Sequence, residues 1–212
     1  MQVSTHAAMG YLIARGLSRP LKLEGYIDYR LVMFLSILPE IDNFSPFEYA
    51  TPLGHHGISH SWIIATLVAL PFLAIWGTVA IPYYTAYIQH ILVGDLLANA
   101  VPLLAPFTYA QYGVEMSRFL FKELVALESA LVLLFAIETR FSAQIPGGRL
   151  ATVCLAGTVP LFLLMIRDSI RPLTYGRTEA AYGLFGITSA LYFIWMIYRM
   201  ARYTFSSHEA RR

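Results

Sequence analysis

Three histidines fall within six positions of this chain: His55, His56 and His60 in the stretch LGHHGISHSW, directly ahead of a long uncharged run. Five of its six histidines precede residue 96, where Glu40, Asp42 and Asp95 also lie. Neutral imidazole mixed with carboxylate is the donor set that suits zinc, iron or manganese. Three or more such ligands around an ion with an open position acidify a bound water into a nucleophile. A single histidine at the end of an apolar segment is as readily an interfacial residue. The joint concentration of His6, Asp42, His60 and Asp95 is harder to assign to chance.

For these groups to meet, the segments carrying them must fold back on one another. Residues 61–81 form an uncharged run long enough to cross about 30 Å of hydrocarbon at 1.5 Å per residue, and residues 83–104 form a second that carries His90 and Asp95. If this hairpin turns near Val79, His60 lies opposite about residue 98, one helical turn from Asp95. His90 and Asp95 are five apart, about 140° around a regular helix. A π-bulge, partial unwinding or an indirect role for one of them is required if both serve one site. Ser59 reads as the N-cap of the first arm. Pro39 stops the short apolar run before it, and Glu40 and Asp42 follow the break, positioned to share a cavity. Glu48 and His56 read as supporting or surface groups, and Glu128 as a carboxyl facing a polar crevice.

The setting of these groups is a membrane. Hydrophobic residues make up 57% of the 212, charged residues 13%, and the mean hydropathy is +0.57, values that set the chain apart from soluble domains. The expected fold is all-α: a polytopic helical membrane protein with about five transmembrane helices. They lie at 61–81, 83–104, a stretch that contains Glu128 and ends at Glu138, 150–166 and 180–198. One or two short N-terminal helices, over 6–17 and 31–38, are expected to be interfacial or re-entrant. A single domain over 1–212 is expected, with the chemistry in 1–107 and further spans in 108–212. The N-terminal segment has no basic region ahead of its apolar stretch and is interrupted by Arg15, so it reads as part of the fold and not as a cleaved signal. The net charge of +2 is scattered, which argues against nucleic acid as a partner. The lone Cys154 lies in an apolar run and reads as a packing residue. Lys and Arg counts weakly place the N-terminal region on the cytoplasmic side. The partners expected are the bilayer itself and a lipid-like substrate; composition leaves the oligomeric state open.

Four motifs carry a resemblance: Thr5-His6, Leu38-Pro-Glu-Ile-Asp42, His55-His-Gly-Ile-Ser-His-Ser61 and His90-Ile-Leu-Val-Gly-Asp95. Together they resemble the membrane-bound metal-dependent hydrolases typified by the YdjM-like inner-membrane proteins of bacteria. The likeness covers residues 1 to 107, the remainder matching only as further spans. It implies a multi-pass protein of the inner, cytoplasmic membrane and a divalent-metal centre, zinc being the first candidate. It also implies a distant similarity to zinc phospholipases C and single-strand nucleases. The ligands it implies are His6, Asp42, His55, His60, His90 and Asp95, with Glu40 in a supporting role. Three positions depart from the pattern. Glu40 stands where an aspartate is usual, His56 where an arginine is usual, and five residues separate His90 from Asp95 where four is common.

Two functions follow as expectations. One is metal-dependent hydrolysis of a phosphoester in a lipid or lipid-linked substrate delivered laterally from the membrane. The other is a non-enzymatic role in which His90, Asp95 and Glu128 conduct ions or protons or simply hold metal. The signatures H-E-x-x-H and G-x-S-x-G, which would indicate a zinc protease or a serine hydrolase, are absent.

Overall fold

The structure is a computed structural model that describes residues 2–48, 51–98, 100–114, 118–140, 145–174 and 177–209. It is 75% helical with almost no sheet; the strand pairing among the described residues is one antiparallel bridge, Ala100 with Gly113 and Val101 with Tyr112. The helices are α1 (Val3–Ser18), α2 (Tyr29–Ile37), α3 (Trp62–Trp76), α4 (Ile81–Gln89), the single-turn α5 (Leu96–Ala98), α6 (Arg118–Glu138), α7 (Arg149–Ala156), α8 (Val159–Ile170) and α9 (Arg177–Glu209).

Helix α1, expected to be interfacial or re-entrant, does not lie at the surface of the bundle. It lies at the centre of the bundle, packed against α2, α4 and α6 and reaching α8 and α9. Ser4, Thr5, His6, Ala7, Ala8, Gly10 and Ala14 are all buried. Small side chains let neighbouring backbones approach closely, which is how helices associate where no water drives them together. The sequence pattern that looked like one apolar stripe is therefore a helix contacted from nearly every side. At Gly10 the fit leaves no room for a methyl group, because a Cβ there would sit 1.7 Å from Ser36 Oγ on α2.

Among the described residues three stretches are long and apolar enough to cross a membrane: Trp62–Asp95, Arg149–Thr174 and Glu179–Ser206. The first contains both arms of the expected hairpin. Ser61 caps α3 by accepting a hydrogen bond from the Ile64 amide. The chain reverses at Gly77, whose φ of 55° lies in the left-handed region that glycine enters at no steric cost. Tyr84 Oη meets Thr66 Oγ1 at 2.8 Å and Tyr87 Oη donates to the Ser59 carbonyl at 2.7 Å, so the arms run antiparallel. Arg149–Thr174 is broken at Gly157-Thr158 into α7 and α8, both packed on α9. The stretch expected as a span ending at Glu138 is helix α6, which is not among these three, so five spans are not confirmed.

The core is a column of aromatic rings. Phe193 of α9 stacks on Phe135 of α6 and Phe162 of α8 at 5.1 and 5.6 Å, and Tyr11 of α1 meets Phe135 edge-on at 5.1 Å. At the start of α2, Asp28 caps the helix through Arg30 N and Leu31 N and also accepts from Gly148 N, tying α2 to α7. Arg30 is almost fully buried and donates to the Ile145 carbonyl and to Thr152 and Thr204. Gly10→Ala is expected to destabilise the fold by ~1–3 kcal/mol, the usual cost of overpacking a full site. Thermal unfolding in detergent tests it; an unchanged melting temperature would mean that α1 and α2 are not in this close contact.

Candidate metal centre

Four elements deliver the polar cluster, three of them through a local departure from regular α-helix. Helix α1 contributes His6 from its first turns, fully buried. The chain following α2 tightens into a 3₁₀ segment, Leu38–Phe44, with Pro39 near its start. At three residues per turn, positions two apart point in different directions. Glu40 and Asp42 accordingly do not share one cavity: Glu40 turns toward His6 and His90, Asp42 toward His55 and His60. A compact loop leads to a second 3₁₀ turn, Ile58–His60, and presents His55, His56 and His60. Gly57 is required there, since a Cβ would lie 2.5 Å from the Thr51 and Pro52 carbonyls.

Residues His90–Asp95 form a π-helical turn. Its i→i+5 spacing brings residues five apart onto one face, resolving the five-residue separation of the two ligands. His90 Nε2 and His60 Nε2 each lie 3.1 Å from Asp95 Oδ2. His90 Nδ1 donates to the Ser36 carbonyl at 2.7 Å, which leaves Nε2 as the lone-pair nitrogen facing the carboxylate. This is the outer hydrogen bond that orients metal-ligating histidines. His6 stacks on His90 at 3.8 Å and leans over Gly94, where a Cβ would lie 2.1 Å from His6 Cε1.

Two groups of donors result among the described residues. His6, Glu40, His90 and Asp95, all buried, each offer an atom within 4.8 Å of the others; His55, His56 and His60 form the second group. His60 connects them through Asp95 on one side and Asp42 on the other, with its Nδ1 3.1 Å from Asp42 Oδ2. Asp42 Oδ1 also meets His55 Nδ1 at 2.6 Å, and Ser59 donates to Asp42 Oδ2. All six residues expected as ligands thus lie in one continuous cluster, and Glu40 is a full member of it. His56, expected at the surface or in support, is buried among the histidines in a left-handed backbone conformation (φ 58°). Ser59 serves Asp42, and the helix cap is Ser61. Glu128 is buried but joins neither group.

The donors fit a divalent cation. His6 Nδ1 and Nε2, His60 Nε2, His90 Nε2 and Asp95 Oδ2 are buried and make no aligned hydrogen bond, an expensive arrangement unless something positive lies between them. Two ligands bound at about 2.0–2.1 Å in tetrahedral geometry lie about 3.3 Å apart. The spacings here are 3.1 Å for each imidazole to Asp95, and 3.8 and 4.0 Å from Glu40 Oε1 to His90 and His6. Electrostatics point the same way. Burial disfavours a charged His60, but the Asp42 and Asp95 carboxylates, each 3.1 Å from one of its ring nitrogens, outweigh it and push its pKa up to about 10. Burial also works against a charged Asp42, yet hydrogen bonds from His55, His60 and Ser59 hold its carboxyl well below the ordinary range. Burial pushes His56 down to about 3, so it is a neutral imidazole and supplies no fixed cation.

Glu40, Asn43, His55 and His56 line one wall of a polar cavity of about 290 Å³, with Gln2, Asp168, Ser169 and Tyr182 also at its edge. Chelator-treated protein is expected to retain the His60 proton through neutral pH and release it near pH 10. Because the folded pKa is raised, the associated stability is complete below about pH 6.5, the unperturbed value, and is lost as the pH climbs through 10. Histidine-selective NMR, with His60→Gln to assign the signal, measures this directly; a His60 titration near the unperturbed value would show that the carboxylates do not enclose it.

Comparison with known proteins gives the site its family. No curated protein and no solved structure matches the chain, but a family model, the YdjM inner membrane protein, matches residues 1–202. With three stretches among the described residues long and apolar enough to cross a bilayer, this makes it an inner-membrane protein. The resemblance seen in the first 107 residues therefore extends over nearly the whole chain, which belongs to the YdjM inner membrane protein family.

Proposed function

We propose that this chain is a divalent-metal-dependent hydrolase of the inner membrane, acting on a phosphoester in a lipid or lipid-linked substrate. The observation that carries this reading is the convergence of unsatisfied imidazole nitrogens on the buried Asp95 carboxylate. His6, Glu40, His90 and Asp95 would hold one ion; His55, His60 and Asp42 offer a second set joined to the first through His60. Zinc is the first candidate because imidazole and carboxylate ligands in a closed, buried site suit it. A bound divalent ion supplies Lewis acidity, acidifying water and drawing charge off phosphoryl oxygens.

The protein's own groups divide the remaining work. Glu40 belongs to the ligand group and also lines the polar cavity. Asn43 Nδ2 donates to both its backbone oxygen and its Oε2, so the carboxylate is held at the boundary between site and cavity, where it can accept a proton from entering water. The Ser36 carbonyl keeps the His90 proton on Nδ1. The neutral His56 leaves the cavity without a fixed positive charge, so attraction of a phosphate falls to the ion and its ligands.

Detergent-purified protein is expected to carry near-stoichiometric zinc or a related divalent ion, by elemental analysis, and to hydrolyse a phosphatidic acid or an activated phosphodiester. The double substitution His60→Ala, Asp95→Ala removes the bridge between the groups and should abolish both metal and hydrolysis. Negligible metal in the parent protein, or unchanged metal in the double variant, would sink the proposal. Gly94→Ala pushes a methyl group into His6 without altering any donor. It is expected to lower metal affinity by roughly 10- to 100-fold, the scale of perturbing a ligand's support, measured by competition with a chromophoric chelator. Parent-like affinity would remove His6 from the ligand set.

A further inference from the structure

The membrane-facing side of the hairpin carries a second cavity that the metal chemistry does not use. Helix α3 has no buried residue along its length, although its sequence, WIIATLVALPFLAIW, is wholly uncharged. It stands off from α2 and α4 and leaves a groove of about 460 Å³, within the range of about 300–1,000 Å³ typical of small-molecule sites. The groove runs from Leu38 and Ile64 at the end nearest the metal centre to Leu31 and Trp76 at the other. Twelve residues of α3 separate Ile64 from Trp76, a rise of about 18 Å.

The walls specify what can lie there. Their polar side-chain atoms are three tyrosine hydroxyls, each already engaged by the protein, and the indole N–H of Trp76 at the end far from the metal centre. Tyr83 Oη accepts from the Asp28 amide at 2.8 Å, Tyr84 Oη pairs with Thr66 Oγ1, and Tyr87 Oη donates to the Ser59 carbonyl. Ring faces and aliphatic side chains are what remain for an occupant, so the occupant is hydrocarbon. Its length matches as well, since one leaflet of a bilayer is about 15 Å deep, half of a ~30 Å hydrocarbon core. The end near Leu38 and Ile64 is linked to the site through two of its lining residues. Leu38 immediately precedes Pro39 and Glu40, and the Tyr87 hydroxyl is bound to Ser59, whose own hydroxyl holds Asp42 beside His60.

We infer that the groove between α2, α3 and α4 is an acyl-chain site, which draws one hydrocarbon chain of a phosphate-ester lipid out of the bilayer and holds its phosphate end at the histidine–carboxylate cluster. The inference deepens the hydrolase reading and rests on it for the identity of the polar end; the groove itself stands on its lining. Substrate selection by this device is by chain length and straightness, because the tyrosine hydroxyls of the lining are engaged by the protein and the Trp76 indole lies at the end far from the cluster.

The test is photocrosslinking in phosphatidylcholine nanodiscs doped with a phosphatidic acid that bears a diazirine midway along one acyl chain. Peptide mapping is expected to place adducts on the groove side of α3 and α4, around Val68, Ala69 and Tyr84. Ala69→Phe, which fills the groove from α3, should reduce those adducts at least about tenfold, the loss expected when several methylenes are displaced. Leu163→Phe, on an exposed surface of α8, should not. Should Ala69→Phe fail to elute as a monodisperse species, Ala65→Leu makes the same test with a smaller side chain. Adducts spread evenly over exposed residues such as Leu133, Leu163 and Leu191, or a pattern unaffected by the groove variants, would overturn the inference. The two readings fail separately. Groove adducts on a protein without metal or hydrolysis would retain the acyl site and reject the hydrolase, whereas hydrolysis with even labelling would reject the groove alone.

Discussion

A carboxylate buried between two imidazoles is the constraint on which this molecule turns. Asp95 is 1% exposed and has a histidine nitrogen 3.1 Å away on each of two sides. Such a group cannot remain ionised inside an apolar bundle without positive charge beside it. The rest of the architecture can be read as the means of holding that arrangement in place. The π turn rotates His90 onto the face of Asp95, the hairpin reversal at Gly77 returns the second arm to His60, and the 3₁₀ segment after Pro39 sends one carboxylate to each donor group. At the centre, α1 is built from side chains small enough for α2 and the π turn to bring Ser36 and Gly94 against it.

Each of these devices costs some backbone regularity, and the irregular turns are concentrated at the cluster. Elsewhere the helices are conventional: α6 and α9 run for 21 and 33 residues and meet through stacked aromatic rings. This division, a regular scaffold carrying locally distorted segments that bear the polar groups, is what a site requires if its donors are to be held by packing and not by their own flexibility. Proteins often retain backbone distortions where they aim functional side chains, and π turns in particular recur at such places.

Much of the cluster was legible in the sequence because its chemistry conflicts with its surroundings. A histidine and an aspartate inside an otherwise uncharged run stand out, and the hairpin geometry alone put Asp95 within one turn of His60. The five-residue spacing even named the distortion it required. The burial of α1 was not legible, since small residues give no periodic signal and an apolar stripe reads the same whether one side or all sides are covered. Glu40 and Asp42 were expected to converge, and the tighter pitch of a 3₁₀ segment separated them, a difference that one proline could not announce. His56 looked like a surface residue because nothing in its neighbours revealed the left-handed turn that folds it inward. From sequence Ser59 reads as the helix cap, but its hydroxyl is committed to Asp42, and Ser61 caps α3 by accepting from the Ile64 amide.

The short reach of the hairpin has a consequence for the bilayer around it. Helix α3 has 15 residues before the chain reverses, a rise of about 22 Å, against a hydrocarbon core about 30 Å thick. An apolar arm shorter than its surroundings creates hydrophobic mismatch, which the membrane relieves by compressing locally, at a modest cost per ångström. Lipids bordering α3 would then have their headgroups lowered toward the open end of the hairpin, so the deformation of the bilayer itself would carry polar groups to the depth at which Asp95 is held.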